Sequence, residues 1–307
     1  MVVVKLKKYE NIPFVLQCWK NIADSLPEIN LPIGPEGKPL SVSFSLFTAL
    51  FLSILNIIAG HVLVNVVGFP EGEIITKETT ASVVGEFHSN NLLVGLAFLF
   101  ATHSYQPSQK MSVAPLWWQK VCDSVISFCI GYMIYDFIFI IATNYETGLN
   151  ADNYVFLGHH VATTIYMMQT RMYGAGHFSA MIAMFLGEMT NPFHNGHYIL
   201  QNALSLDCCN TITWVQNLDY INTFIFSLMY VIIRSFLGPV YFLHASIDLA
   251  MNGRKNGIPV WVICIWIALI WAVVHGSVPW VQKCWGMLME YFPGTDAQQQ
   301  ESVQAEM

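Results

Sequence analysis

The chain has 307 residues, of which 54% are hydrophobic and only 11% charged, with a formal net charge of −7. Soluble domains carry about 25% charged residues, so this composition excludes an ordinary soluble globule and points to an integral membrane protein. The acidic balance, carried mostly in loops and tails, argues against nucleic acid as a partner and leaves the lipid bilayer as the expected one.

The opening MVVVKLKKYENIPF has neither the apolar stretch nor the cleavage site of a signal peptide, so the first span is expected to serve as the targeting signal. Residues 1–40 read as a polar N-terminal segment, within which FVLQCWKNIADSL (14–26) predicts a short amphipathic helix at the membrane interface. Residues 41–77 hold the first transmembrane helix, near 43–69, and a loop over 70–82 follows it. Further spans are expected near 84–103, 123–143, 155–173, from 177 onward with a kink at Pro192, 220–243 and 258–282. Each is about the 20 apolar residues needed to cross hydrocarbon, which gives an all-α integral membrane fold of about seven transmembrane helices. Residues 286–307 read as a polar, disordered tail. The seven cysteines are scattered without a CxxC pair, so no disulfide framework or zinc site is expected.

Within these spans lie side chains that hydrocarbon disfavours by roughly 2.5–3.5 kcal/mol each at mid-depth. At about 1.5 Å rise per residue, His61, Asp136 and His275 fall near one level with His88 and the His159–His160 pair. Asn195 falls close by and Glu188 deeper. This predicts a polar layer facing a shared interior. The plain alternative is interhelical hydrogen bonding, which is favoured for His61 and His275 taken alone. Consecutive helical residues point about 100° apart, so one imidazole of the pair can face the interior while the other meets a neighbouring helix. Thr163 and Thr164, one turn on, are candidates to orient a ring. Glu188 and Arg234 are expected either to pair or to serve the site, and Asn191-Pro192 either to act or simply to kink the helix.

Loop charges give a direction. Lys5, Lys7, Lys8, Lys20, Lys38, Lys110, Lys120, Arg171, Arg254 and Lys255 fall on the N-terminal side, against Lys77 and Lys283 on the other. The positive-inside rule then places the N-terminus in the cytosol.

Five motifs occur in order along successive spans: EFHS at 86–89, GYMIYD at 131–136, HH with Thr163 at 159–163, FLGEMTNPFHN at 185–195 and IIR at 232–234. Together they resemble the TLC-domain family, which includes the ceramide synthases, over about residues 78–285. The likeness is greatest to the non-synthase branch, whose fifth span reads Glu-x-Ser-x-Pro-Phe-x-Asn; here Thr190 stands for the Ser. The resemblance implies a barrel of six helices around a lipid-accessible cavity, residence in the endoplasmic reticulum and a cytosolic C-terminus, opposite to the charge count. It also implies that His159 and His160 match the paired histidines of the synthases. Where synthases carry a downstream His-Asp and a further Asp, this chain has Gly187-Glu188.

Two functions stay open on these grounds. One is acyl transfer from acyl-CoA, as co-substrate, to a lipid amine or hydroxyl, with His159, His160, Asp136 and Glu188 as catalytic candidates and Asp136 fixing a tautomer. The other is a non-catalytic lipid-binding regulator of membrane composition, or a cargo receptor, with His88, Asn191, Asn195, Arg234 and His275 holding a head group. No metal or other cofactor is expected, since His194-x-x-His197 lacks the further tightly spaced histidines of a di-iron hydroxylase. Nothing in the sequence specifies an oligomeric state.

Overall fold

The computed structural model describes residues 12–34, 39–145 and 148–292. Residues 1–11 and 35–38 of the polar start and 293–307 of the tail lie outside these residues. Helix α1 spans Phe14–Ser25, followed by strands β1 (Asn30–Leu31) and β2 (Leu40–Ser41), which pair antiparallel with Asn30 opposite Ser41. The long elements are α2 (Ser43–Val62), α3 (Ile74–Thr102), α4 (Leu116–Thr143) and α5 (Ala151–Tyr173). Then come α6 (His177–Glu188), α7 (Asn191–Leu204), α8 (Thr213–Ile232), α9 (Gly238–Asn252), α10 (Val260–Gly276) and α11 (Val278–Met289). Wider π-helical turns continue α2 over Leu63–Val67 and join α8 to α9 over Ile233–Leu237.

Among the described residues, five rods are long and apolar enough to span a membrane: Ser43–Val67, Ile74–Thr102, Leu116–Thr143, Thr213–Asn252 and Val260–Met289. The all-α membrane fold is therefore present. α5 and the α6–α7 pair complete seven helical rods but are more polar, because they carry the histidines and Asn residues. Two expectations need correction. Much of the 70–82 segment is not loop: α3 begins at Ile74, where Thr76, Thr79 and Thr80 are buried and turn their hydroxyls back on the chain, to Pro70, Ile75 and Thr76. The fifth rod is broken rather than kinked, with α6 ending at Glu188 and Pro192 in the first turn of α7, where a missing N–H costs nothing.

Packing closes a ring. α3 meets α4, α4 meets α5, α5 meets α10, α10 meets α9, α11 meets α8, α8 meets α7, and α7 returns to α3. α6 touches α3, α5 and α9 and so lies across this ring, while α2 packs on its outside against α4 and α3. The main core joins Leu92, Leu96 and Leu99 of α3 to the buried face of α4 and to Met181 and Met184 of α6. A second core is built around Trp266, whose indole N–H donates to Gln169 Oε1 at 2.7 Å. Arg171 of α5 clamps Asp123 of α4 through two hydrogen bonds of 2.7 and 3.0 Å.

α1 forms as an amphipathic helix and packs inward. Leu16 and Trp19 enter the main core, and Trp19 stacks on Phe128 at 4.1 Å. Its polar face pairs Lys20 with Asp24 at 3.1 Å, which holds the Asp24 carboxyl below its usual range.

Helices in lipid gain little from apolar burial against each other, so close approach at small residues does the work. At Gly131 a Cβ would lie 2.5 Å from both the Ser45 carbonyl oxygen and Thr48 Cβ, so only glycine lets α2 and α4 meet there. Gly131→Val is expected to cost about 1–3 kcal/mol or more through overpacking. Gly286→Ala, where an added Cβ meets nothing within 4 Å, is expected to cost nothing. Thermal melting in detergent micelles reads both.

Candidate functional site

Helix periodicity separates the tandem histidines of α5. His160 is buried and faces α4, where its Nε2 lies 2.7 Å from Asp136 Oδ2. A carboxylate only accepts, so Nε2 carries a proton, and in the neutral ring Nδ1 keeps its lone pair. That Nδ1 is buried and has no partner among the described residues. His159 is half-buried, its ring centroid 5.7 Å from that of His160 and tilted by 53°. The ring-orienting partner is thus Asp136 of the neighbouring helix, rather than Thr163 or Thr164.

His88 of α3 is completely buried. Its ring stacks on Tyr132 at 3.8 Å with an interplanar angle of 8°, and on its other side Phe128 lies at 5.3 Å. Tyr132 meets His160 edge-on at 6.5 Å, so one row of rings runs from Trp19 to the His pair. Neither nitrogen of His88 has a hydrogen-bond partner among the described residues; Nδ1 stands 3.8 Å from Glu188 Oε2.

Glu188 is 5% exposed at the C-terminus of α6 and accepts from Asn191 Nδ2 at 2.8 Å. The break after α6 interrupts the i→i+4 ladder and frees the Gly187 carbonyl, which takes a hydrogen bond of 3.0 Å from Arg234 Nη2. Arg234 lies in the π-helical turn joining α8 to α9, 5.4 Å from the Tyr230 ring, with a buried Nε that has no partner among the described residues. The cation is therefore spent on the backbone beside Glu188, not on its carboxylate.

The expected single layer divides. His88, Asp136, His159, His160, Glu188, Asn191 and Arg234 are brought together by α3, α4, α5, the α6–α7 break and the turn after α8. Asn195, one turn beyond Asn191, points to α3, with Nδ2 3.5 Å from Ser89 Oγ. His61 is exposed and bonds Asn65 within its own helix, and His275 is exposed near the end of α10. Two contributors went unread as site residues in the sequence. Tyr132 lies one turn before Asp136 and so shares its face, a spacing that was legible. Thr190 in the break, read in the sequence only as standing for the motif's Ser, is fully buried, and its hydroxyl has no partner among the described residues. Among the described residues, no three His, Cys, Asp or Glu side chains gather in a metal-binding arrangement.

Chemically, the arrangement offers one buried imidazole poised as a base, one sandwiched imidazole beside a carboxylic group, and a cation at a helix break. Charge effects among such groups are larger away from water.

Comparison with known proteins matches residues 87–286 to the family model described as the TLC domain. A TLC domain-containing protein of Arabidopsis thaliana is 24% identical over 259 residues, covering 84% of this chain and 92% of that protein. No solved structure matches the chain.

Replacing His88 by Ala would open a hole between Phe128 and Tyr132 and is expected to cost about 2–4 kcal/mol. His275→Leu, at an exposed position, is expected to stay within about 0.5 kcal/mol of the parent. Melting of both variants in lipid nanodiscs checks the pair.

Proposed function

The chain belongs to the TLC-domain family, a group of membrane lipid-related proteins, and we propose that its polar layer transfers an acyl group from acyl-CoA to the amine or hydroxyl of a membrane lipid. The observation that carries this reading is the 2.7 Å bond from His160 Nε2 to Asp136, which leaves Nδ1 buried and free to take a proton. Next to Glu188, a Cβ added at Gly187 would meet nothing within 4 Å, which is consistent with room for a substrate.

The step balances with these groups. His160 Nδ1 takes the proton of the acceptor N–H or O–H as that atom attacks the thioester carbonyl carbon. The carbon–sulfur bond then breaks, and the leaving thiolate receives the proton back from His160. Asp136 holds the ring and offsets the charge it carries in between. Arg234 supplies positive potential near the oxyanion. His88 and Glu188, with Asn191, hold the polar head of the acceptor, and His159 lines the approach. We propose the endoplasmic reticulum as its location, as the family resemblance implies.

A second reading is a non-catalytic lipid-binding regulator, or a receptor for cargo. It is favoured by the internal engagement of Glu188 with Asn191 and of Arg234 with the Gly187 carbonyl.

Purified protein given long-chain acyl-CoA and a panel of lipid amines and alcohols is the test. Asp136→Asn and His160→Ala are each expected to lower the rate about 10²–10⁴-fold. Activity unchanged in both overturns the catalytic reading. Lipid profiles of null cells restored by the His159→Ala, His160→Ala double variant would instead support the regulator.

A further inference from the structure

The polar residues of α7 do not stop at the layer around Glu188. From Asn191 to Gln201 the helix rises by about 15 Å, and its far end forms a separate cleft with α8 and α11. This cleft has a volume of about 410 Å³, and its walls include His197, Gln201, Tyr220, Thr223, Glu290 and Tyr291.

One wall is organised by a hydrogen-bond network. Asp219 accepts from Gln201 Nε2 at 2.6 Å and from Thr223 Oγ1 at 3.4 Å. His197 Nδ1 lies 2.7 Å from Thr223 Oγ1 and 3.6 Å from Asp219 Oδ1. With the Thr223 proton given to Asp219, His197 Nδ1 donates to Thr223, and Nε2 is left as an acceptor. The His197 and Asp219 side chains are only 19% and 13% exposed, so the wall is held in place rather than mobile in solvent.

The opposite wall is aromatic and acidic. Tyr291 gives its hydroxyl proton to the Tyr220 carbonyl at 2.8 Å, so its oxygen is left to accept. The two tyrosine rings meet at 4.5 Å and 49°, and Glu290 stands exposed beside them. No Lys or Arg is among the described residues that line the cleft. The ammonium of Lys283, earlier on α11, is held over the Trp280 ring at 4.5 Å. Carboxylate, acceptor nitrogen and oxygen, and π faces all favour positive charge and disfavour phosphate or carboxylate.

We propose that this cleft is a second binding site, separate from the His160 layer, that takes an organic ammonium group. The chemistry is shared by an amine-bearing lipid head and a free soluble amine.

Native mass spectrometry of the full-length protein with phosphatidylethanolamine, phosphatidylcholine or phosphatidylglycerol reads the lipid source. Calorimetric titration with ethanolamine and choline reads the soluble one. Retention of the amine-headed lipids over phosphatidylglycerol is expected to be about tenfold, and Glu290→Gln and Tyr220→Leu are each expected to lower it about 3- to 10-fold. Soluble amines binding with the same sensitivity would show that the head group suffices; binding of lipids alone would show that the acyl chains are needed. No preference for amine heads or amines in the parent protein, or a preference untouched by both variants, overturns the site. The readout is binding, so the fate of acyl transfer in Asp136→Asn bears only on the other reading. Both substitutions fall on exposed side chains, and melting confirms that the variants fold.

Discussion

Hydrocarbon offers no hydrogen bonds, so every polar side chain carried into it must be answered from within the protein. This constraint shapes the whole molecule. Asn56 of α2 donates to the Tyr135 hydroxyl of α4 at 2.7 Å, and Asn202 of α7 donates to Thr79 of α3 at 2.9 Å. His160 is answered by Asp136, Trp266 by Gln169, and the Gly187 carbonyl by Arg234. Each pair joins different helices, so the need to satisfy polar groups and the need to hold the ring together are met by the same contacts. Some buried polar atoms have no partner among the described residues, at the site in His88, His160 Nδ1 and Thr190 and away from it in His177, His194, Ser227 and Tyr241.

Two irregularities of the backbone make the site. The first is the break between α6 and α7, and the second is the π-helical turn after α8. Both lie at one level, because Arg234 in the turn reaches the carbonyl that the break sets free. A continuous helix in either place would have closed that carbonyl into its own ladder or re-aimed the arginine. Wide turns of this kind recur at functional sites for this reason.

The sequence was most legible where chemistry and length agree. α2, α4 and the middle of the α8–α9 rod are predominantly apolar, and their existence followed from composition. The start of α3 did not, because its first turns carry Thr76, Thr79 and Thr80, which read as loop residues until their hydroxyls are seen bonded to the chain itself. Depth along a helix was readable, but azimuth was not. His61 and His275 sit at a level compatible with the polar layer and point away from it, since rotation about the helix axis is set by packing partners that a hydropathy pattern does not name. The Asp136–His160 bond was within reach, because both are titratable residues at matching depth on adjacent helices. The use of Arg234 on a carbonyl was not, because it depends on where α6 ends.

The joined α8–α9 rod has a consequence of its own. Thr213–Asn252 is a run of 40 residues, which at helical rise comes to about 60 Å, against a hydrocarbon slab of about 30 Å. Even a steep lean leaves several turns standing in water. Arg234 lies near the middle of the run, and polar residues mark both ends: Asp219 in α8, and in α9 Asp248, which accepts from the Ser108 backbone at 2.7 Å and from Asn252 at 2.8 Å. The rod thus works as a mast: its waist shares the chemistry of the interior, and its far end moors the α3–α4 connection.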